Sequence, residues 1–414
     1  MAILKPFKAY RPTPQLASKV AALPYDVLSS NEARNMVENN PYSFLHVDKA
    51  EIDLDPEVDI HDALVYEKAR DNLKDMINKG IFVKDAEDRY YIYRQTMDSR
   101  SQTGLVGCTS IDDYMNNIIL KHEKTRADKE MDRINHVDYT NANTGPIFIT
   151  YRNKAEIDDL IQSWIDNHEP VYDFISNDHI GHTVWVIDDW STINKITELF
   201  KGVESLYIAD GHHRSASAVK VGLKRRAEYP DYDGTEEFNY FLSVLFPDKD
   251  LYIMDYNRVI QDLNEFSETE FLELIKEKFI VTPLDTTNQY RPEKAHTFGM
   301  YLDKTWYRLE AKEGIFNPDN IVESLDVSIL QNNILNPILG IVDPRVDSRI
   351  DFVGGIRGLT ELEIRVDDGM RVAFSLYPVT IDQLMKIADE GEIMPPKSTW
   401  FEPKLRSGLF IHEL

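Results

Sequence analysis

The residues best suited to chemistry lie in one stretch, Ser205-Leu-Tyr-Ile-Ala-Asp-Gly-His-His-Arg-Ser-Ala-Ser-Ala218. The apolar run Leu206 to Ala209 predicts a short buried strand. Asp210-Gly211 predicts a tight turn, and residues Ser215 to Arg226, rich in Ala, Leu, Lys and Arg, predict a helix. Because the first turn of a helix has unpaired N–H groups and a partial positive charge, this pattern indicates an anion site.

Five residues at this turn suit a phosphate group. Gly211 allows a positive φ or a close approach of the backbone to a ligand, and Arg214 can hold two phosphate oxygens. His212 and His213 can donate hydrogen bonds or carry protons near neutral pH. Asp210 can hold Mg²⁺ or cap the helix. The alternative is an ordinary strand–turn–helix junction in which Asp210 only caps.

A second polar stretch is Leu120-Lys-His-Glu-Lys-Thr-Arg-Ala-Asp-Lys-Glu-Met-Asp-Arg-Ile-Asn-His136. Charges on nearly every face favour a solvated helix with internal ion pairs. The alternative is a loop that holds a carboxylate beside cations. His122-Glu123 does not form the zinc-protease motif, because position 126 is arginine instead of histidine.

A third polar stretch lies near the C-terminus, at Glu392-Ile-Met-Pro-Pro-Lys-Ser-Thr-Trp-Phe-Glu-Pro-Lys404. Lys397, Ser398 and Thr399 are three consecutive residues suited to phosphate. The alternative is a terminal surface loop stiffened by prolines.

Composition excludes several classes of protein. The formal charge of −25 argues against broad binding of nucleic acids or anionic membranes. The single cysteine, Cys108, excludes an intramolecular disulfide framework and a cysteine-built zinc site, and it fits a cytoplasmic protein. No run approaches the ~20 apolar residues of a membrane span, and the N-terminus lacks the apolar core of a signal peptide.

Strands and helices alternate irregularly along the chain, which predicts an α+β or mixed α/β fold. Three helix starts are marked by capping boxes, Ser29/Glu32, Ser267/Glu270 and Thr380/Gln383. Helices are also expected over Asp62 to Asn78 and over Ser324 to Leu335.

Taken together, the polar stretches resemble a known family. Ile208-Ala-Asp-Gly-His-His-Arg214 resembles the signature of the ParB/sulfiredoxin-like nucleotide-binding fold, in its free serine kinase branch. Nearly the whole chain resembles the bacterial DUF1015 family, through Pro24-Tyr-Asp-Val, Tyr93-Arg-Gln, Asn141-Ala-Asn-Thr-Gly-Pro146 and Met394-Pro-Pro-Lys-Ser-Thr399. The resemblance implies a ParB/sulfiredoxin-like phosphate-binding core with an insertion over residues 111–250. An N-terminal α/β segment over 1–110 and a C-terminal α/β domain over 251–414 would flank it.

The resemblance also implies roles for these residues. Free serine kinases phosphorylate L-serine with a nucleotide, and Lys121-His122-Glu123 is similar to their Pro-His-Glu segment, whose glutamate is the general base. Asp210 to Arg214 would hold the nucleotide phosphates. The loop Lys397 to Thr399, together with Arg126, would bind substrate and phosphate, and the C-terminal domain would return this loop to the site. The position near Phe401 departs from the kinases, which have a histidine there, and this leaves the acceptor open.

The resulting hypothesis is a Mg²⁺-dependent phosphotransferase that acts on free L-serine or a similar small hydroxyl compound, with ADP or ATP as donor. Glu123 would be the base, assisted by His122, and Asp210 would hold the metal ion. The main alternative is a non-catalytic, ParB-like protein that binds or senses a nucleotide. DNA contact is opposed by the charge and by the lack of a basic recognition helix. Sulfiredoxin-like chemistry would need a cysteine where His212 stands.

Overall fold

The structure is a computed structural model that describes residues 1–285 and 288–414. Its α-helices are α1 Ala17–Val20, α2 Ser30–Val37, α3 Leu45–Asp48, α4 Ala63–Asn78, α5 Ile111–Met115, α6 Ala127–Thr140, α7 Ala155–Asn167, α8 Trp190–Lys201, α9 His212–Glu228, α10 Glu268–Lys278, α11 Asp326–Leu330, α12 Leu359–Asp367 and α13 Ile381–Asp389. A π-helical turn, Gln331–Leu335, follows α11.

The strands of the described residues are distributed along the whole chain. They are β1 Leu4–Lys5, β2 Tyr10–Pro12, β3 Phe82–Lys84, β4 Tyr90–Met97, β5 Arg100–Ser110, β6 Ile119–Leu120, β7 Ala142–Asn143, β8 Ile147–Tyr151, β9 Tyr172–Ile175, β10 Gly181–Ile187, β11 Leu206–Asp210, β12 Tyr240–Pro247, β13 Ile253–Met254, β14 Tyr256–Ile260, β15 Phe279–Pro283, β16 Thr297–Leu302, β17 Thr305–Ala311, β18 Ile350–Gly354, β19 Val372–Leu376, β20 Trp400–Phe401 and β21 His412–Glu413. The fold is therefore mixed α/β, as predicted.

The chain divides into two compact units, each built from separate segments. Unit 1 comprises Met1–Lys121, Thr125–Leu251 and Pro403–Leu414. Unit 2 comprises His122–Lys124 and Tyr252–Glu402.

Unit 1 is built on a sheet of nine strands. Eight run in the order β6-β11-β8-β12-β5-β4-β10-β9, and β1 pairs with β5. The pairs β11–β6 and β12–β8 are parallel and the others antiparallel. Ile149 and Leu245 from the strands share an apolar core with Ile157 of α7 and Phe200 of α8. Residues on both sides of position 110 thus contribute strands to one sheet.

Unit 2 contains an antiparallel sheet in the order β15-β17-β16-β19-β14-β18. Its core combines Val259 and Ala373 from the strands with Trp306 and with Leu362 of α12. A separate two-stranded pair joins β13 to β20 and so fixes the chain that follows the predicted Pro-Lys-Ser-Thr loop.

The predicted helix starts are confirmed where a local hydrogen-bond pattern sets them. All three capping boxes form, before α2, α10 and α13. The helix predicted over Ser324 to Leu335 is instead a short α-helix that continues as a π-helical turn. In the described residues, no helix has the length and apolar character needed to cross a membrane.

Candidate functional site

The turn between β11 and α9 is formed by one residue in a left-handed conformation. Gly211 occupies the N-cap position of α9 with φ 97° and ψ 31°. Ile208 pairs with Ile149 and Asp210 with Phe148, so the register shifts at the end of β11. Such an irregularity bends a strand and redirects the side chains beyond it. The helix consequently begins at His212, earlier than the predicted Ser215, and its first N–H groups belong to the residues predicted to bind phosphate.

Arg214 stabilises this turn through two hydrogen bonds. Its Nη2 donates to Asp210 Oδ2 at 3.1 Å, and its Nη1 donates to the carbonyl oxygen of Pro146 at 2.5 Å. A Cβ atom at position 211 would lie 3.2 Å from Arg214 Nε, so the missing side chain of Gly211 leaves room for the guanidinium. The Asn141–Pro146 segment, which carried part of the family resemblance, is thereby linked to the turn that is predicted to bind phosphate.

A second cation, Lys404, lies on the other side of Asp210. Its Nζ is 3.6 Å from Asp210 Oδ1, and its side chain is only 9% exposed. Sequence reasoning missed Lys404 because it is remote in the chain from Asp210 and stands in a segment that resembles an ordinary terminal loop. Asp210 therefore has a cation beside each carboxylate oxygen. Asp210 is thus a counter-ion to both cations, and its role as a Mg²⁺ ligand stays a prediction.

His213 fixes the segment that precedes α6. The backbone N–H of Arg126 donates to His213 Nε2 at 3.1 Å, so this ring nitrogen is an acceptor and the neutral ring carries its proton on Nδ1. The guanidinium of Arg126 pairs with Asp128 at 2.8 Å and is half exposed. Arg126 thus lies at the first turn of α9, with its charge near the surface.

The prediction of a solvated helix in the second polar stretch is wrong. Helix α6 begins only at Ala127, and it buries Glu130, Asp132, Arg133 and His136. These charges have partners inside unit 1: Arg133 Nε donates to Asp132 Oδ2 at 2.9 Å, and the Lys220 ammonium pairs with Glu130. Burial raises the pKa of Asp132, but the charge of Arg133 and the hydrogen bond from Tyr66 outweigh this effect and leave the pKa below its usual range. Burial lowers the pKa of His136, and Arg133 lowers it further.

The residues before α6, 121–126, lack regular secondary structure, as the alternative expectation held. His122 is buried and Glu123 is partly exposed. The backbone N–H of Met394 donates to the carbonyl oxygen of His122 at 2.9 Å. Unit 2 therefore brings the Glu123 segment beside the start of the predicted Pro-Lys-Ser-Thr loop.

Within that loop the three predicted residues differ in exposure. Lys397 is exposed, Thr399 is partly exposed, and Ser398 is buried with its hydroxyl donating to the carbonyl oxygen of Pro395 at 2.6 Å. Ser398 consequently stabilises the turn. Lys397 has a φ of 59°, which is unfavourable for a residue with a side chain.

Arg258, a residue with no sequence signal, supports this conformation from strand β14. Its Nη2 donates to the carbonyl oxygen of Lys397 at 2.9 Å, and its Nη1 donates to the carbonyl oxygen of Tyr256. Arg258 is 3% exposed, and burial lowers its pKa to about 10. Buried arginines usually have partners, and those of Arg258 include two main-chain carbonyl oxygens, one of which belongs to Lys397.

The structure thus assembles the predicted residues in two groups. Unit 1 holds Arg126 with the turn Asp210 to Arg214, and unit 2 holds His122 and Glu123 with the loop Lys397 to Thr399. The cooperation of both groups in one reaction stays a proposal.

The fold and these groups define a mixed α/β protein in which a strand–turn–helix junction carries the residues predicted to bind phosphate. The chain belongs to the family described as "Protein of unknown function (DUF1015)", which it matches over residues 4–328. No curated protein matches the chain.

Several solved structures are distantly similar. A free serine kinase mutant in complex with ADP is 13% identical with a TM-score of 0.36, over 73% of this chain and 88% of that chain. SbnI with a C-terminal truncation, from Staphylococcus aureus, is 11% identical with a TM-score of 0.37, over 72% and 82%. A conserved hypothetical protein from Pyrococcus furiosus is 13% identical with a TM-score of 0.34, over 72% and 91%.

Proposed function

We propose that this protein is a phosphotransferase that moves the terminal phosphoryl group of a nucleotide, ADP or ATP, onto the hydroxyl group of free L-serine or a similar small molecule. The observation that carries the proposal is the turn at Gly211. There a left-handed glycine, the start of a 17-residue helix and Arg214, whose side chain is 11% exposed, occur together at the end of an interior strand. This combination is typical of sites that bind phosphate through backbone N–H groups and added cations.

The second group supplies what a phosphate site alone lacks. A serine hydroxyl is a weak nucleophile, so a carboxylate that accepts its proton speeds the transfer. Glu123 is partly exposed in a loop that Met394 holds, and the exposed ammonium of Lys397 lies in the adjoining segment. We assign Glu123 as the general base, His122 as the residue that places it, and Lys397 and Thr399 as groups that bind the acceptor or the phosphate.

The reaction follows from these roles. The hydroxyl oxygen of the acceptor attacks the terminal phosphorus, and the bond from that phosphorus to its bridging oxygen breaks. The nucleotide leaves with the electron pair of that bond, and the hydroxyl proton passes to the carboxylate of Glu123. Transfer of this kind depends mainly on positioning and on neutralising charge. Mg²⁺ would enter with the nucleotide and neutralise part of its phosphate charge.

The test compares three proteins: the unaltered chain, Glu123→Gln and the control Glu313→Gln, which changes an exposed glutamate of unit 2. Nucleotide consumption with L-serine is measured together with the dissociation constant for ADP. We expect Glu123→Gln to lose about 100-fold or more in kcat while its ADP affinity stays within about twofold. An unchanged kcat in Glu123→Gln would remove Glu123 from the mechanism. ADP binding without turnover in the unaltered chain would identify the alternative, a nucleotide-binding regulatory protein.

A further inference from the structure

Lys404 approaches the phosphate turn from a strongly constrained backbone. Its carbonyl oxygen accepts a hydrogen bond from Gln95 Nε2 at 2.8 Å, and the carbonyl oxygen of Pro403 accepts one from Gln102 Nε2 at 3.3 Å. Gln102 Nε2 also donates to Gln95 Oε1 at 2.9 Å. The two glutamines are cross-strand partners on β4 and β5, near the turn that joins these strands.

Both glutamines are buried, with exposures of 0% for Gln95 and 3% for Gln102. An apolar pair at these positions would stabilise the core without the cost of burying two amides. The amides instead hold the main chain at Pro403 and Lys404. This arrangement fixes the position of the Lys404 backbone. Gln95 also belongs to the Tyr93-Arg-Gln segment, which has no other role in the proposed reaction.

The charges at the turn favour an anion. Asp210 lies 3.1 Å from Arg214 Nη2 and 3.6 Å from Lys404 Nζ, so one carboxylate faces two cations and the three groups carry a net charge of +1. Because the side chains of Arg214 and Lys404 are about nine-tenths buried, their charges are screened less than surface charges would be. The chain as a whole has a charge of −25, so this local excess of positive charge is opposite in sign to the overall charge.

We propose that Lys404 is a further catalytic residue of the proposed phosphotransferase, whose ammonium contacts the transferred phosphoryl group. Asp210 orients Lys404 and Arg214, and the Gln95–Gln102 pair fixes the backbone of Lys404. Lysine binds phosphate as a compact point charge. In this position it neutralises the charge that develops as the bond to the leaving nucleotide breaks. This inference rests on the proposed function for its catalytic part, and on the geometry of unit 1 alone for its binding part.

The test uses Lys404→Met in the full chain, with Lys249→Met as the matched control. Lys249 is also in unit 1 and pairs with one carboxylate, that of Asp158, but its side chain is 51% exposed. Calorimetric titration with ADP and with inorganic pyrophosphate should show affinities lower by about tenfold or more in Lys404→Met and unchanged in Lys249→Met. With L-serine present, kcat should fall about 100-fold.

A third variant separates a contact to phosphate from support of the fold. Gln95→Leu leaves the charge of Lys404 in place but removes the hydrogen bond to its carbonyl oxygen. We expect kcat to fall in this variant, while the dependence of pyrophosphate affinity on salt concentration stays as in the unaltered chain. In Lys404→Met that dependence should weaken, because one cation has been removed. If Lys404→Met does not fold, Lys404→Gln, which retains a donor for Asp210, replaces it in the same measurements.

The outcomes for the two proposals are distinct. Weaker pyrophosphate binding in Lys404→Met, in a protein that shows no turnover with serine, would uphold the anion contact and overturn the proposed reaction. Full turnover and unchanged affinities in Lys404→Met would overturn the role of Lys404 and leave the proposed reaction standing. An unaltered chain that binds neither ADP nor pyrophosphate would overturn the role of Lys404 as well.

Discussion

Asp326 provides a prediction about unit 2 that can be worked out quantitatively. This aspartate begins α11 and is 6% exposed. Its Oδ1 accepts a hydrogen bond from the backbone N–H of His296 at 2.8 Å, and its Oδ2 is buried with no hydrogen-bond partner among the described residues. Burial raises the pKa of Asp326 to about 7, against the opposing effect of the His296 and Tyr377 amides.

The sign of the effect on stability follows from the raised pKa. The native protein holds this proton more tightly than the unfolded chain, where the ordinary pKa is 3.8. The favourable contribution is therefore complete below pH 3.8, and it is lost as the pH rises through that value to about 7. The pKa values of the native and unfolded states differ by about three units. Each unit corresponds to about 1.4 kcal/mol, so the free energy of unfolding changes by about 4 kcal/mol.

The perturbation is Asp326→Asn, which removes the titration but keeps an acceptor for the His296 amide. Urea unfolding of both proteins from pH 5 to pH 8 gives the difference in their free energies of unfolding. We expect the unaltered protein to lose about 2 kcal/mol relative to Asp326→Asn between pH 5 and pH 7, with little further change above that. The test is how this difference changes with pH, because the buried amide of the variant also changes the absolute free energy of unfolding.

The control is Asp347→Asn. The hydrogen bonds from Arg349 hold the pKa of Asp347 below its usual range, so its contribution is present above that range and is lost only as the pH falls into acid. Its difference from the unaltered protein should therefore be constant from pH 5 to pH 8. A constant difference for Asp326→Asn as well would refute the reasoning, since it would show that Asp326 is already ionised in the native protein at pH 5.

Two further substitutions test the backbone of the candidate site. Gly211→Ala should weaken ADP binding and destabilise the protein by about 1–2 kcal/mol. The control is Gly234→Ala, because Gly234 has a φ of 94° and open space around its Cβ position. This control should show the same backbone strain without the loss of ADP affinity. Equal ADP affinities in the two variants would contradict a role for the Arg214 contact. Arg258→Met should destabilise the protein by about 1–3 kcal/mol in urea unfolding, whereas Arg345→Met, at an exposed ion pair with Asp343, should have almost no effect. An unaffected stability in Arg258→Met would show that the Lys397 carbonyl does not depend on this arginine.

Local patterns predicted much of the secondary structure. The capping boxes at Ser29, Ser267 and Thr380 form as expected, since each depends on residues three positions apart. The strand–turn–helix at Asp210-Gly211 was also predictable, because Gly211 alone provides the left-handed N-cap.

Contacts between distant segments account for what the sequence did not reveal. The charges of α6 resemble a solvated face, yet Asp132 and Arg133 are buried. Asp132 accepts a hydrogen bond from the Tyr66 hydroxyl and Arg133 lies over the Tyr25 ring, and both tyrosines come from distant parts of the chain. Lys404 lies beside Asp210, and Arg258 donates a hydrogen bond to the carbonyl oxygen of Lys397. Neither contact could be predicted from a spacing or a motif within one segment. The ParB/sulfiredoxin-like core and the three-part division at 110 and 250 stay predictions.

The most direct test of the central claim is ³¹P NMR of the purified protein with Mg²⁺, L-serine and either ADP or ATP. The account predicts a new phosphomonoester signal that grows with time, identifies the donor, and is absent from the Glu123→Gln protein. No phosphomonoester with either donor would contradict transfer to serine, and an equal signal from Glu123→Gln would contradict the assignment of the base.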